Sequence, residues 1–245
     1  MTNILLSVKA AKKQYKGGIN ALGGVNIEIH KNEIIAILGS SGAGKSTLLK
    51  SILGLVKLDT GNIFFKNNEP IIKNFSILRS SISTIYQNFN LVSRSSILIN
   101  ILLGKVAKVS NWRILFNIWP KEDQLKAISL LKEVGLKDIN YNKRVENLSG
   151  GQQQRIGIAR ALIGSPEIIL ADEPVSSLDP ETAKEILRLL KDTAKKNRIS
   201  ILCSLHQVEF AKSFADRVIG MSDGQIIFDK LSKKLLKSDL KKLYK

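Results

Sequence analysis

Gly39-Ser40-Ser41-Gly42-Ala43-Gly44-Lys45-Ser46-Thr47 is the stretch that decides how the rest of the chain is read. Two glycines stand five apart, and the second is followed by a lysine and a hydroxyl residue. The flanks agree with the pattern. Glu33 to Leu38 (EIIAIL) reads as a buried strand and Lys45 to Leu55 as a helix. A strand that turns through such a loop into a helix points successive backbone N–H groups into one concavity, where phosphate oxygens can sit. Lys45 then reaches the β- and γ-phosphates, and the Ser46 hydroxyl holds Mg²⁺. A glycine-rich turn without a ligand would need the strand and the helix to flank it by coincidence. The stretch predicts a nucleoside triphosphate site.

Composition sets the bounds. With 245 residues, 44% of them hydrophobic and 24% charged, the chain is long enough to bury a core. The longest uncharged apolar stretches, such as Ile97 to Leu103, fall far short of the roughly 18 residues of a membrane span. The first ten residues, MTNILLSVKA, lack the basic segment and long apolar core of a signal peptide. Cys203 is the one cysteine and lies in the apolar run Ile199 to Leu205, so it reads as a small buried hydrophobe in a reducing compartment. The net charge of +17 is high. It admits nucleic acid, anionic lipid or an acidic partner, but the aromatics do not interleave with the lysines as a base-stacking platform requires. The densest basic run, Lys230 to Lys245, carries seven lysines against Asp239, with Leu236, Leu240 and Leu243 able to share a helical face. It reads as a solvated helix end, or as a segment with affinity for a membrane surface.

Along the chain, Leu5 to Ala10 and Val25 to His30 alternate apolar and polar residues as half-buried strands do, and Asn62 to Lys66 is a further short strand. Between the first two lie Tyr15, Gly17 and Gly18, a turn. These pieces predict an antiparallel sheet beside the phosphate-loop core. Ile82 to Tyr86 reads as a strand ending at Gln87, and from Asn88 to about Arg144 the pattern is helical, with Gly135 as a stop. Asn111 to Pro120 (NWRILFNIWP) holds both tryptophans, a pair that reads either as packing or as an interface. Leu148-Ser149-Gly150-Gly151-Gln152 opens a helix with Ser149 at its N-cap, a second anion-binding construction or simply a helix start. Ile168 to Ala171 is a buried strand running into Asp172-Glu173-Pro174. There Asp172 can ligate Mg²⁺ and Glu173 can polarise an attacking water. Asp179-Pro180 caps the next helix, Ile199 to Leu205 is another buried strand ending at His206, and Arg217 to Phe228 is a hairpin about Asp223-Gly224.

Taken together, the phosphate loop, Gln87, the LSGGQ run, the Ile168 to Glu173 run, Ser177-Leu178-Asp179 and His206 resemble, in order and spacing, the ATPase subunits of ABC transporters. The resemblance covers nearly the whole chain. It implies an α/β fold: a P-loop NTPase core of mostly parallel sheet, an antiparallel β subdomain, and a helical subdomain inserted over about 88–163, all in one domain spanning 1–245. It implies ATP and Mg²⁺ as cofactors, with Tyr15 stacking on adenine and Ser46, Gln87 and Asp172 about the metal. Glu173, His206 and Gln87 are then the catalytic group: Glu173 as base, His206 as γ-phosphate sensor, Gln87 as sensor and coupler. Ser149, Gly150, Gly151 and Gln152 of one protomer face the nucleotide of the other in a head-to-tail homodimer. The implied partners are integral-membrane permease subunits and a periplasmic or surface solute-binding protein, placing the chain at the cytoplasmic face of the plasma membrane. No direct contact with the solute and no nucleic acid is expected.

A narrower resemblance, carried by Gln152 to Arg160, Leu205 to Arg217 and the Trp-bearing segment, is to the phosphonate-importer branch. Ser204 departs from it, standing where many relatives have Asn. The alternatives are an importer ATPase for another small solute (amino acid, phosphate, phosphite) and a soluble ABC-type ATPase acting on nucleic acid, which would bring two cassettes or a long inserted arm. A noncatalytic regulator would lack Lys45 or Glu173, and both are present.

Overall fold

The structure, a computed structural model, describes residues 3–66 and 80–244. Its centre is a six-stranded sheet ordered β5-β6-β7-β3-β8-β9: β3 (Ile34–Leu38), β5 (Ile82–Ile85), β6 (Ile168–Asp172), β7 (Ser200–Leu205), β8 (Arg217–Ser222) and β9 (Gln225–Leu231). All neighbours run parallel except β8 and β9. That last pair is the hairpin expected from Asp223-Gly224, where φ is +49° and +72°, the double positive φ that a tight hairpin turn demands.

Strand alternation sorts side chains between two cores. Ile34, Ala36 and Leu38 of β3 enter one with Ile201, Cys203 and Leu205 of β7, while Ile35 and Ile37 enter the other with Leu202 and with Leu170 of β6. Every β3 residue is fully buried. Each of its Ile and Leu side chains contributes about 1.5–3 kcal/mol to that burial. Cys203 is buried with them, as the sequence predicts.

On one face lie α1 (Lys45–Ile52) and an antiparallel sheet ordered β2-β1-β4, made of β1 (Ile4–Gln14), β2 (Asn20–His30) and β4 (Thr60–Phe65). Both long strands outrun their expected bounds. Ala10, at φ +49°, sits in a register shift between Val8 and Ala11 that interrupts the alternation the sequence pattern relies on.

The opposite face carries helices: α2 (Ile97–Leu102), α3 (Asn111–Leu115), α4 (Lys121–Glu133), α5 (Gly150–Ile163), α6 (Pro180–Asn197), α7 (Val208–Phe214) and α8 (Lys237–Leu243). Gly135 takes φ +80° just beyond α4, the left-handed stop expected there. The basic tail is not a free amphipathic helix. Leu243 is buried and Leu240 packs on the core, leaving Leu236 exposed. Lys245 lies outside the described residues. Among the described residues no helix is long and apolar enough to cross a membrane.

Candidate nucleotide site

The phosphate loop leaves the carboxyl end of β3, an interior strand of the parallel set, where α/β sheets bind ligands. Its glycines are demanded by backbone conformation and by crowding. Gly44 caps α1 at φ +100°, and a Cβ there would stand 2.3 Å from the Ala21 carbonyl oxygen. No side chain caps the helix and no acid sits in its first turn, so its leading N–H groups are left open to a ligand. Lys45 is only 4% exposed, and its Nζ donates to the carbonyls of Gly39 at 2.8 Å and Ser40 at 2.9 Å. Burial lowers its pKa, while Glu173 and Asp172 pull the other way. A lysine held this way has one proton left to offer an incoming anion.

Strand register assembles the rest. β6 and β7 pair Asp172 with Ser204, and β3 and β7 pair Leu38 with Leu205. Glu173 therefore follows level with Leu205 and Leu38, with Gly39 and His206 one residue further on. Ser46 Oγ donates to Asp172 Oδ1 at 3.0 Å, and Ser204 Oγ donates to the same oxygen at 2.8 Å. Glu173, at φ +49°, turns off the strand so that its N–H donates to Ser204 Oγ at 2.9 Å and its Oε1 meets His206 Nε2 at 2.6 Å. Among the described residues no cluster of three or more His, Cys, Asp or Glu side chains is arranged for a metal. One carboxylate beside one hydroxyl fits Mg²⁺, a hard cation that completes its shell with phosphate oxygens and water. Gln87 lies two residues past Ile85, the partner of Ala171, so it too reaches this level. Its side chain is exposed, and no hydrogen bond joins it to Ser46 or Asp172.

The helix start expected at Ser149 is formed. Ser149 Oγ accepts from the Gln152 N–H at 3.3 Å and Gln152 Oε1 accepts from the Ser149 N–H at 3.1 Å, a capping box on α5. Ser149 is exposed, and among the described residues no hydrogen bond links this element to the chain's own phosphate loop. The glycines behind it allow close approach: a Cβ on Gly151 would meet Thr182 Cγ2 at 2.8 Å, and one on Gly150 would meet Leu178 at 3.2 Å and Phe89 at 3.6 Å.

Residues 22–176 match the family described as ABC transporter. The chain belongs to the ABC transporter family. It is similar to the phosphonates import ATP-binding protein PhnC of Lactobacillus acidophilus, 43% identical over 92% of this chain and 88% of the relative. It is similar also to PhnC 2 of Haloarcula marismortui, 44% identical over 92% and 84%. Among solved structures, cbiO1 from Clostridium perfringens, part of the ABC transporter complex cbiONQ, superposes with a TM-score of 0.83 at 30% identity, covering 98% of this chain and 93% of that one. A dimeric ATP-binding cassette in a post-hydrolysis state with ADP and Pi gives 0.79 at 32% identity, over 94% and 100%.

As a member of the ABC transporter family the chain is a nucleotide-binding subunit, and further residues of its site come into view that sequence reading passed over. Ser204, noted only as a departure, is at the hub of the strand ends. Arg160 of α5 donates to the carbonyls of Phe89 at 2.7 Å and Asn90 at 2.6 Å, bracing a loop whose two residues both have positive φ. Gln154, fully buried, donates to the Pro174 carbonyl at 2.6 Å and so ties α5 to the chain just after Glu173. Neither has a sequence signal beyond a polar residue on an otherwise apolar helix face.

Tyr15, 41% exposed, stands at the turn joining β1 and β2, whose Ala21 touches Gly44. Lys13 Nζ lies 5.8 Å from its ring centroid. The two tryptophans part company. Trp119 is buried, with Nε1 donating to Asn117 Oδ1 at 2.8 Å, whereas Trp112 is exposed beside Leu115, Phe116 and Ile118.

Proposed function

We propose that this chain is the ATP-hydrolysing subunit that powers an importer of phosphonates or a related phosphorus oxyanion. The observation that carries the reading is the single ledge of strand ends on which Lys45, Ser46, Asp172, Glu173 and His206 meet. The phosphonate assignment rests on the names of relatives 40–44% identical over some nine-tenths of the chain.

In this reading the loop amides of Gly39 to Thr47 and the Lys45 ammonium bind the β- and γ-phosphates, and Tyr15 stacks on adenine. Ser46 and Asp172 would hold Mg²⁺, which would supply positive charge to offset that of the phosphates. Glu173 would take the proton of the attacking water, and His206 would release it to do so on contacting the γ-phosphate. Gln87, carried by the loop that Arg160 braces, would report the γ-phosphate to the membrane partner, with the helical segment over about 88–163 moving as an inserted subdomain.

The exposure of Ser149, away from its own loop, supports a head-to-tail homodimer in which each protomer's Ser149 to Gln152 closes the other's site. The exposed Trp112, Leu115, Phe116 and Ile118 support a permease contact. A solute-binding protein and a place at the cytoplasmic membrane face complete the assignment. The test is Lys45→Ala in the assembled transporter: ATP binding should weaken, and hydrolysis and uptake should vanish with the protein still folded. Unchanged turnover would sink the site, and copurification with RNA in place of a permease would sink the transport role.

A further inference from the structure

Ser204 is a polar residue with no exposed surface, near the end of a strand that is otherwise apolar over Ile201 to Leu205. Alternation turns its side chain to the same face of the sheet as Leu202, the face that carries α1 and the phosphate loop. Strand register sets it opposite Asp172. Its hydroxyl uses both of its functions there. The O–H donates to Asp172 Oδ1 at 2.8 Å, and the oxygen accepts the Glu173 N–H at 2.9 Å.

The second bond matters because Glu173 has left the ladder. Its φ of +49° is unfavourable for a residue with a Cβ, and the turn takes its N–H away from the neighbouring strands. An N–H at this partly buried site needs an acceptor, and among the described residues the Ser204 hydroxyl is the one it has. Glu173 is thus held at two points, its amide by Ser204 and its carboxylate by His206 at 2.6 Å. The first bond orients Asp172 through the oxygen that also receives the Ser46 hydroxyl at 3.0 Å.

We infer that Ser204 is a positioning residue of the hydrolytic site, its hydroxyl joining the Asp172 carboxylate to the backbone of Glu173 and fixing both. This rests on the reading of Glu173 as the general base. An apolar residue of similar size would fill the space but leave the Glu173 amide unanswered and its carboxylate free to swing. Misplacement of a reacting group by about 1 Å is enough for a large loss of rate. The chemistry asks for a side chain that donates and accepts at once, which Thr or Asn supplies, Cys supplies only weakly and Ala does not.

The experiment compares Ser204→Ala, Ser204→Cys and Ser204→Thr as full chains. Removing the hydroxyl should lower kcat about tenfold while KM for ATP stays within about twofold, a loss confined to the step after binding. Ser204→Thr should recover most of the rate. Independently of activity, hydrogen exchange at the Glu173 amide should quicken at least about tenfold in the Ala variant, with the amides of Leu170 and Ala171 unchanged. A kcat within about twofold of the parent, or exchange at Glu173 no faster than before, overturns the inference. So does a parallel loss in Ala and Thr that follows their Tm, which would make Ser204 a packing residue only. Glu173→Gln is measured beside them. If that variant turns over normally the base assignment itself fails, whereas a dead Glu173→Gln with a normal Ser204→Ala refutes the positioning role alone.

Discussion

Replacing Glu173 by Gln separates binding from hydrolysis, and the structure says by how much. The side chain is 17% exposed and its Oε1 meets His206 Nε2 at 2.6 Å. Glutamine has the same shape and keeps an acceptor at that position, so the contact survives as a neutral hydrogen bond. Exchanging a charge-assisted bond for a neutral one costs about 1 kcal/mol, small against the 5–15 kcal/mol that hold a typical domain. The variant should therefore fold. Lys45 loses one of the two carboxylates that oppose the lowering of its pKa by burial, but Asp172 remains, and ATP should still bind. What disappears is the proton acceptor. General-base catalysis contributes typically 10²–10⁴-fold, which at 1.36 kcal/mol per decade is about 2.7–5.4 kcal/mol of barrier. Single-turnover quench kinetics should show hydrolysis at least about a hundredfold slower, and size-exclusion chromatography in ATP should show dimers that persist. Turnover within about tenfold of the parent would refute the reasoning and move the base role elsewhere, with His206 the next candidate.

Two further outcomes follow from the same geometry. If Ser149 acts on the partner's nucleotide, a mixed dimer of Lys45→Ala and Ser149→Arg protomers, each inactive alone, carries both lesions in one site and neither in the other. ATPase should return to at most about half of the parent level, provided ATP occupies the intact loop, whereas no recovery would count against action in trans. The Trp-bearing segment divides its two tryptophans between packing and contact. Replacing exposed Trp112 with Ala, together with Phe116→Ser, should weaken permease binding and uptake and leave the isolated subunit's ATPase intact. Trp119→Ala should instead lose about 3–5 kcal/mol of stability in a denaturant titration, because that ring is core.

Much of this protein is legible in its sequence. The phosphate loop, the Ser149 N-cap, the Asp179 cap and the Asp223-Gly224 turn are local devices. Each is a few residues whose backbone preferences and side-chain hydrogen bonds are satisfied among themselves, so a linear string specifies them. Asp179 Oδ1 does accept from the Thr182 N–H at 3.0 Å, as its position before Pro180 predicts. Burial of the parallel strands was equally plain, since strands covered on both faces read as unbroken apolar runs. What the string cannot hold is the meeting of distant residues. Ser46 and Ser204 converge on one Asp172 carboxylate oxygen because β6 and β7 align in register and α1 packs beside them, and nothing near Ser204 in the chain marks it as polar for a reason. Arg160 and the carbonyls of Phe89 and Asn90 meet across some 70 residues in the same way. Trp112 and Trp119 are alike to the sequence and opposite in the fold, because only the packing of α3 and α4 against the core decides which of the two rings is covered.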